Sequence, residues 1–329
     1  MPEERPKNMT LRVVRPLFAA LTFVGLLSAA DPQLMNLLMP DAKVIAGVNV
    51  EQARNSPFGQ FLLSHVQNGD PGLAKLTAAT GFDPRHDLSE VLMATLGQPG
   101  QQGLVLARGT FNSDQILTAA TAAGHTVEAY NGVSILTGKE EKLTHALAFL
   151  GDSVAIAGDL DSVKAAIDRR AGNASQIDPT LAAIVQRLSA SLDAWSVSMV
   201  PIAALANEKV PNTNLNGMLN SDVLKAIQQT SGGIKFGAIV QISAQAVANS
   251  SQNATALADV IHFLGNMVQA NAPAGSAAAI TSLVQSLSVQ TDGNTVKLAL
   301  AIPEQQLETL VNSAPHGTVG VHAGHKSSN

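Results

Sequence analysis

Residues 126–159 read TVEAYNGVSILTGKEEKLTHALAFLGDSVAIAGD, and the turn signals inside that stretch decide the fold class. Asn131-Gly132 separates two runs of alternating apolar residues, and both central residues of a type I′ turn need positive φ, which Asn and Gly tolerate. Leu150-Gly151-Asp152-Ser153 separates the next two runs. Strands joined this tightly form an antiparallel meander, because parallel neighbours need a crossover of a dozen or more residues. A third signal, Thr291-Asp292-Gly293-Asn294, predicts another hairpin with Asp-Gly as the centre of a type I′ turn.

Outward from this meander, period-two alternation marks more strands. Val44, Ala46, Val48 and Val50 share one face, with Gly47, Asn49 and Glu51 on the other. Trp195, Val197 and Met199 alternate with Ser196 and Ser198. Ile234, Phe236, Ala238, Val240 and Ile242 alternate with Lys235, Gly237, Gln241 and Ser243, which predicts one continuous strand. Another strand falls near 91–96. One apolar and one wet face per strand implies an antiparallel sheet covered by helices on a single side.

Helices fill the intervals. Asn112 or Ser113 caps one that ends at Gly124, and Asp159 or Asp161 caps another that buries Val163, Ala166 and Ile167. Pro303 suits the first turn of a helix burying Leu307, Leu310 and Val311. Further helices are expected over 57–67, 73–80, 179–192 and 254–285, the last broken at Pro273. Segments 207–220 and 245–253 read as loops.

The N-terminal residues carry Arg5, Lys7, Arg12 and Arg15, then an apolar run from Leu17 to Leu27, then Ser28-Ala29-Ala30. This is the order of a secretory signal peptide with cleavage after Ala30. The apolar run is short of the roughly 20 residues a bilayer-spanning helix needs. An uncleaved anchor is the alternative. The expected organisation is a signal peptide at 1–30, a first α+β half at 31–175, a second at 176–313, and a disordered Gly-, His- and Ser-rich tail at 314–329. Each half is read as a mostly antiparallel sheet with helices packed on one face. The two share an order of elements, closing with a hairpin and a capped helix at 153–170 and 295–312.

Composition narrows the function. Removing residues 1–30 leaves 16 Lys+Arg against 23 Asp+Glu, a net charge of −7, which repels phosphate backbones and argues against nucleic-acid partners. Aromatic residues are only 3%, with Trp195 and Tyr130 the single examples of their kinds, so stacking platforms for sugars or bases are not expected. With no cysteine, thiol catalysis, thiolate metal sites, disulfides and lipid attachment at an N-terminal cysteine are all excluded.

No GxSxG elbow or S-x-x-K pair occurs. Gly138-Lys139 resembles a phosphate loop only until Val133 and Glu140 break the pattern, and no GxGxxG follows a strand. His65, His86, His125, His145 and His262 are scattered singly. His316, His322 and His325 in the tail include an H-x-x-H spacing without supporting geometry. Asp159 and Asp161 could ligate calcium, but helix capping explains them more simply. The densest polar cluster surrounds Arg85, His86 and Asp87 after Asp83-Pro84. It is a candidate interaction loop, able to recognise an anion or support acid–base chemistry; the simpler reading is a turn fixed by its own charges. Arg54 has the same two readings.

The stretches LMPDAKVIAGVNVEQARNSPFG (38–59), TGFDPRHDL (80–88), LVLARGTF (104–111), YNGVSIL (130–136) and AIAGDLDSVKAAIDRR (155–170) resemble a family of uncharacterised bacterial exported proteins. That resemblance implies export and a duplicated α+β fold, and carries no site residues. The sequence therefore predicts a periplasmic or secreted protein, more a binder than an enzyme, with no catalytic, metal or cofactor site expected. Its partner would be a cell-envelope protein or an apolar small molecule. An envelope hydrolase built around Arg85, His86 and Asp87, and a structural accessory subunit, are the alternatives.

Overall fold

The computed structural model describes residues 29–69, 77–97, 103–140, 143–172, 176–201, 222–272 and 277–313. The residues before Ala29, where a signal peptide is expected, the expected loop at 207–220, Pro273 and the histidine-bearing tail lie outside the described residues.

The order is α1 (Pro32–Leu37), β1 (Val44–Asn49), α2 (Val50–Arg54), α3 (Pro57–Gly69), α4 (Pro84–Asp87), β2 (Leu88–Thr95), β3 (Gly103–Gly109), α5 (Ser113–Ala122), β4 (Thr126–Tyr130), β5 (Val133–Glu140), β6 (Leu143–Phe149), β7 (Val154–Asp159) and α6 (Leu160–Arg170). It continues through α7 (Pro179–Ser191), β8 (Ala194–Ser198), α8 (Asp222–Lys225), β9 (Ile227–Lys235), β10 (Ile239–Ala248), α9 (Ser251–Ala270), α10 (Ala277–Ser286), β11 (Ser288–Asp292), β12 (Thr295–Pro303) and α11 (Glu304–Ser313).

The protein is α+β, and its strands form one antiparallel sheet of 12 strands in the order β11-β12-β10-β9-β8-β1-β2-β3-β7-β6-β5-β4. The predicted meander is present as β4 to β7, with Asn131 at φ 47° and Gly132 at φ 76° as a type I′ turn requires. The β11–β12 hairpin pairs Asp292 with Thr295. Its central residues are thus Gly293 and Asn294, of which Gly293 alone has positive φ, 58°. That corrects the expected Asp-Gly centre to a type II′ arrangement led by glycine.

Caps follow side-chain chemistry. Asn112 accepts from Gln115 N at 3.1 Å, Asp159 from Ser162 N at 2.9 Å and Ser250 from Asn253 N at 3.2 Å. Pro303 ends β12 instead of entering α11. The strand expected from Ile234 to Ile242 is two strands, β9 and β10, folded back at 236–238 so that Lys235 pairs with Gln241. The loop expected at 245–253 is the end of β10 and the start of α9.

The 31–175 and 176–313 segments meet in the β1–β8 pair, where Ile45 faces Val197 and Gly47 faces Trp195. Successive strand residues point to opposite faces. On one face Ile45, Leu92, Leu104, Leu106, Ile156 and Val197 form the main core with α1, α6 and α7. On the other, Ala107 and Ala155 pack with Ile116 of α5 and the rings of Phe82, Phe111 and Phe149. Ala246 and Val296 pack there against Ala254, Leu257 and Ala258 of α9. Helices therefore lie on both faces. Single-face coverage is the wrong expectation for strands apolar on both sides, and among the described residues no helix covers the second face between α5 and α9.

Candidate functional site

That open interval is an apolar trough of about 630 Å³. Its floor comes from alternate residues of neighbouring strands: Ala46 and Val48 of β1, Met93 of β2, Ser196 of β8, Gly232 of β9 and Ala244 of β10. The register lays them side by side, since Ala46 pairs with both Met93 and Ser196, and Gly232 with both Ser196 and Ala244. Small side chains keep the floor low. At Gly232 an added Cβ would sit 2.3 Å from the carbonyl oxygen of Ser243, so the backbone itself excludes a larger residue. No lining residue carries a charge; the polar ones are serines, a threonine and Gln245. Val48 is 39% exposed and Met93 49%, where burial would normally stabilise each by about 1.5–3 kcal/mol.

The sequence reading assigned the Val44-Ala46-Val48 face of β1 to the interior. The structure puts Ile45 and Gly47 there instead, because Trp195 needs the space above Gly47: a Cβ at that position would lie 2.5 Å from the indole. The discarded face is the trough floor. Beside the trough, α9 exposes Phe263 and Val268 at 61% and 47%. A smaller apolar pocket of about 200 Å³ lies between α5 and the sheet, with Phe82, Phe111 and Phe149 in its walls.

Arg85, His86 and Asp87 lie together in α4, and the charged groups of this turn pair with one another. Asp83 caps the turn, accepting from Arg85 N at 3.0 Å and pairing with the Arg85 guanidinium at 2.6 Å and His86 Nδ1 at 3.1 Å. That Arg85 hydrogen bond, followed by weaker attractions from the same side chain and His86, holds the Asp83 carboxyl below its usual range against a modest burial cost. Asp87 Oδ2 accepts from Asp83 N at 2.6 Å. Arg54 donates to the carbonyls of Arg85 and His86, fastening α2 to this turn. Asp159 caps α6, and among the described residues no cluster of three potential metal ligands occurs. His125, His145 and His262 are exposed, and the His125 ring lies against Gly138, the residue that pairs with His145 across β5 and β6.

One half-buried ionic group has no local signature in the sequence. Arg108 of β3 binds Asp31 Oδ2 through Nε at 2.8 Å and Nη2 at 2.6 Å. Glu90 of β2, paired across the sheet with Arg108 and with Asn49, accepts from the main-chain nitrogen of Asp31 at 3.2 Å through each carboxylate oxygen. Burial pushes Glu90 up to about 7; the Asp31 N–H works against this, the Asp31 charge adds to it, and Arg108 opposes it.

The fold is thus an open antiparallel sheet with helices on both faces and a trough whose described lining residues carry no charge. No protein-family model matches the chain, and no curated protein matches it in sequence. Its fold is similar to that of TP0453, described in several crystal forms: form III aligns with a TM-score of 0.53 at 10% identity, covering 87% of this chain and 99% of that one. Form IV gives 0.51 at 11% identity, covering 86% and 97%. At such identity the likeness is one of fold. Among the described residues no helix is long and apolar enough to cross a membrane.

Proposed function

We propose that this is an exported protein that binds an apolar small molecule, of acyl-chain type, in the trough between α5 and α9. One observation carries the reading: a contiguous, mostly apolar floor that, among the described residues, no helix covers between α5 and α9. Its volume of about 630 Å³ falls within the roughly 300–1,000 Å³ of small-molecule sites. Exposed apolar area of this kind is characteristic of binding surfaces. The lining has no ionisable group, so it supplies hydrocarbon contact and a few hydroxyls, which suits retention of a ligand better than its conversion.

Export is supported by the basic, apolar, then small-residue order of residues 1–30 and by the resemblance to exported proteins. The strand order around the β1–β8 pair supports a duplicated architecture. On each side three antiparallel strands are followed by helix, then by a meander (β4–β7) or a hairpin (β11–β12) whose last strand lies beside the third and leads into a terminal helix.

A second reading has a specific observation behind it. The exposed Phe263, Met267 and Val268 form an apolar strip on α9, which suits an envelope protein partner. The two readings separate in one titration. A fluorescent acyl-chain probe added to the purified protein should bind with saturation, and Val48→Asp with Met93→Asp should weaken it at least about tenfold while leaving the circular dichroism unchanged. Binding that ignores these substitutions but falls with Phe263→Asp would favour the helix and its partner.

A further inference from the structure

We propose that Glu90 is a built-in receptor for the α-ammonium group formed when the chain is cut between Ala30 and Asp31. Two independent observations meet on one nitrogen. The Ser28-Ala29-Ala30 pattern places the cut immediately before Asp31. The fold brings Glu90, 59 residues away, to that same nitrogen, with both carboxylate oxygens at 3.2 Å. Two acceptors for one amide hydrogen is a wasteful arrangement; for an ammonium with three hydrogens it is a fitted seat.

The nitrogen is already in place before any cut. Asp31 Oδ1 accepts from Gln33 N at 2.7 Å and Leu34 N at 3.3 Å, capping α1, while Oδ2 is gripped by Arg108. Arg108 also donates to Gln33 Oε1 at 2.8 Å. All of these contacts lie on the C-terminal side of the scissile bond and survive its loss.

Charge completes the argument. The groups facing Glu90 are Asp31 from the start of α1, Arg108 from β3 and the neutral Asn49 from β1. With the peptide bond intact, two carboxylates share one guanidinium, which Asp31 occupies. Hydrolysis breaks the Ala30 C–Asp31 N bond: water supplies the hydroxyl that makes the Ala30 carboxylate, and the released nitrogen gains protons to become an ammonium. The site then holds two charges of each sign. Processing thus gives the half-buried Glu90 carboxyl a cationic partner on the nitrogen it already contacts, and the cut chain becomes the more stable one.

The inference rests on the export part of the proposed function and is independent of the ligand. In its test the full chain is produced with export, recovered from the envelope and its N-terminus sequenced by mass spectrometry. Asp31 is the expected first residue; another start overturns the inference and leaves the trough reading standing. The pH profile of α-amine acylation on that protein gives the second readout. The ion pair should raise the amine by about one unit above its usual 7.7–8.0 and slow its acylation near pH 7 about tenfold relative to Glu90→Gln. An amine that titrates at its ordinary value in the unmodified protein overturns the proposal, whether or not the variant folds. Glu90→Gln should also lower the Tm of the cut chain at pH 7 and leave unchanged or raise that of the uncut chain; equal losses in both would contradict it.

Discussion

The carboxylate of Asp193 accepts from Lys235 Nζ at 2.8 Å and from Phe236 N at 2.6 Å, and so holds the turn that divides β9 from β10. Nothing in the residues 234–242 announces that turn, since their apolar period runs through it unbroken; Gly237 is the one local hint, and the residue that stabilises the break lies 43 positions upstream. Glu90 was illegible for the same reason, because its partners Asp31 and Arg108 come from distant segments. A consequence at this scale follows for the chain with its Ala30–Asp31 bond intact. There the folded Glu90 titrates at about 7 against 4.5 for an ordinary glutamate. Between those values the unfolded chain has already released its proton while the folded one retains it, so stability falls as pH rises from 4.5 to 7 and levels off above. Discounted for partial exposure, the fall is about 1–2 kcal/mol. Urea unfolding of the uncut chain across that range measures it, and Glu90→Gln should flatten the slope; an unchanged slope would show that Glu90 is not its source.

Among the elements, the parts legible in advance were those whose signal is local. Asn131-Gly132 specifies a turn by backbone preference, and Asn112 and Asp159 specify caps by the reach of a short side chain. The trough was not legible, because β1 is apolar on both faces and only the bulk of Trp195 against Gly47 decides which one is buried. Local signals also miss how an element is fastened. The edge hairpin β4–β5 is held to α6 by Asp168, which accepts from Tyr130 Oη at 2.9 Å and Asn131 Nδ2 at 2.7 Å. Lys164 adds an ion pair to Glu128 at 2.8 Å. Asp168→Ala should therefore cost only about 0.5–1.5 kcal/mol yet loosen one element. Hydrogen exchange in residues 126–137 should quicken while that of β1 and β2 stays unchanged, and a uniform change over the sheet would contradict the assignment.

Across the whole molecule, one continuous sheet makes the two segments a single mechanical body, joined where β1 meets β8. The seam is tight: a Cβ on Gly47 would come within 2.5 Å of Trp195 and 2.9 Å of Leu92. Gly47→Val should destabilise the protein by about 1–3 kcal/mol, shift the emission of Trp195, which is only 6% exposed, and disturb the trough floor on the opposite face of β1. Unchanged emission would place the seam's strain elsewhere. The same continuity explains why the trough can exist, since β1 and β8 span its centre and no helix among the described residues covers them. The most direct measurement is solvent extraction and mass spectrometry of the protein purified gently from the envelope, alongside the Val48→Asp, Met93→Asp double variant. An acyl-bearing molecule in near-stoichiometric amount with the unmodified protein and absent from the variant is the predicted result; an empty unmodified protein, or equal amounts from both, would contradict it.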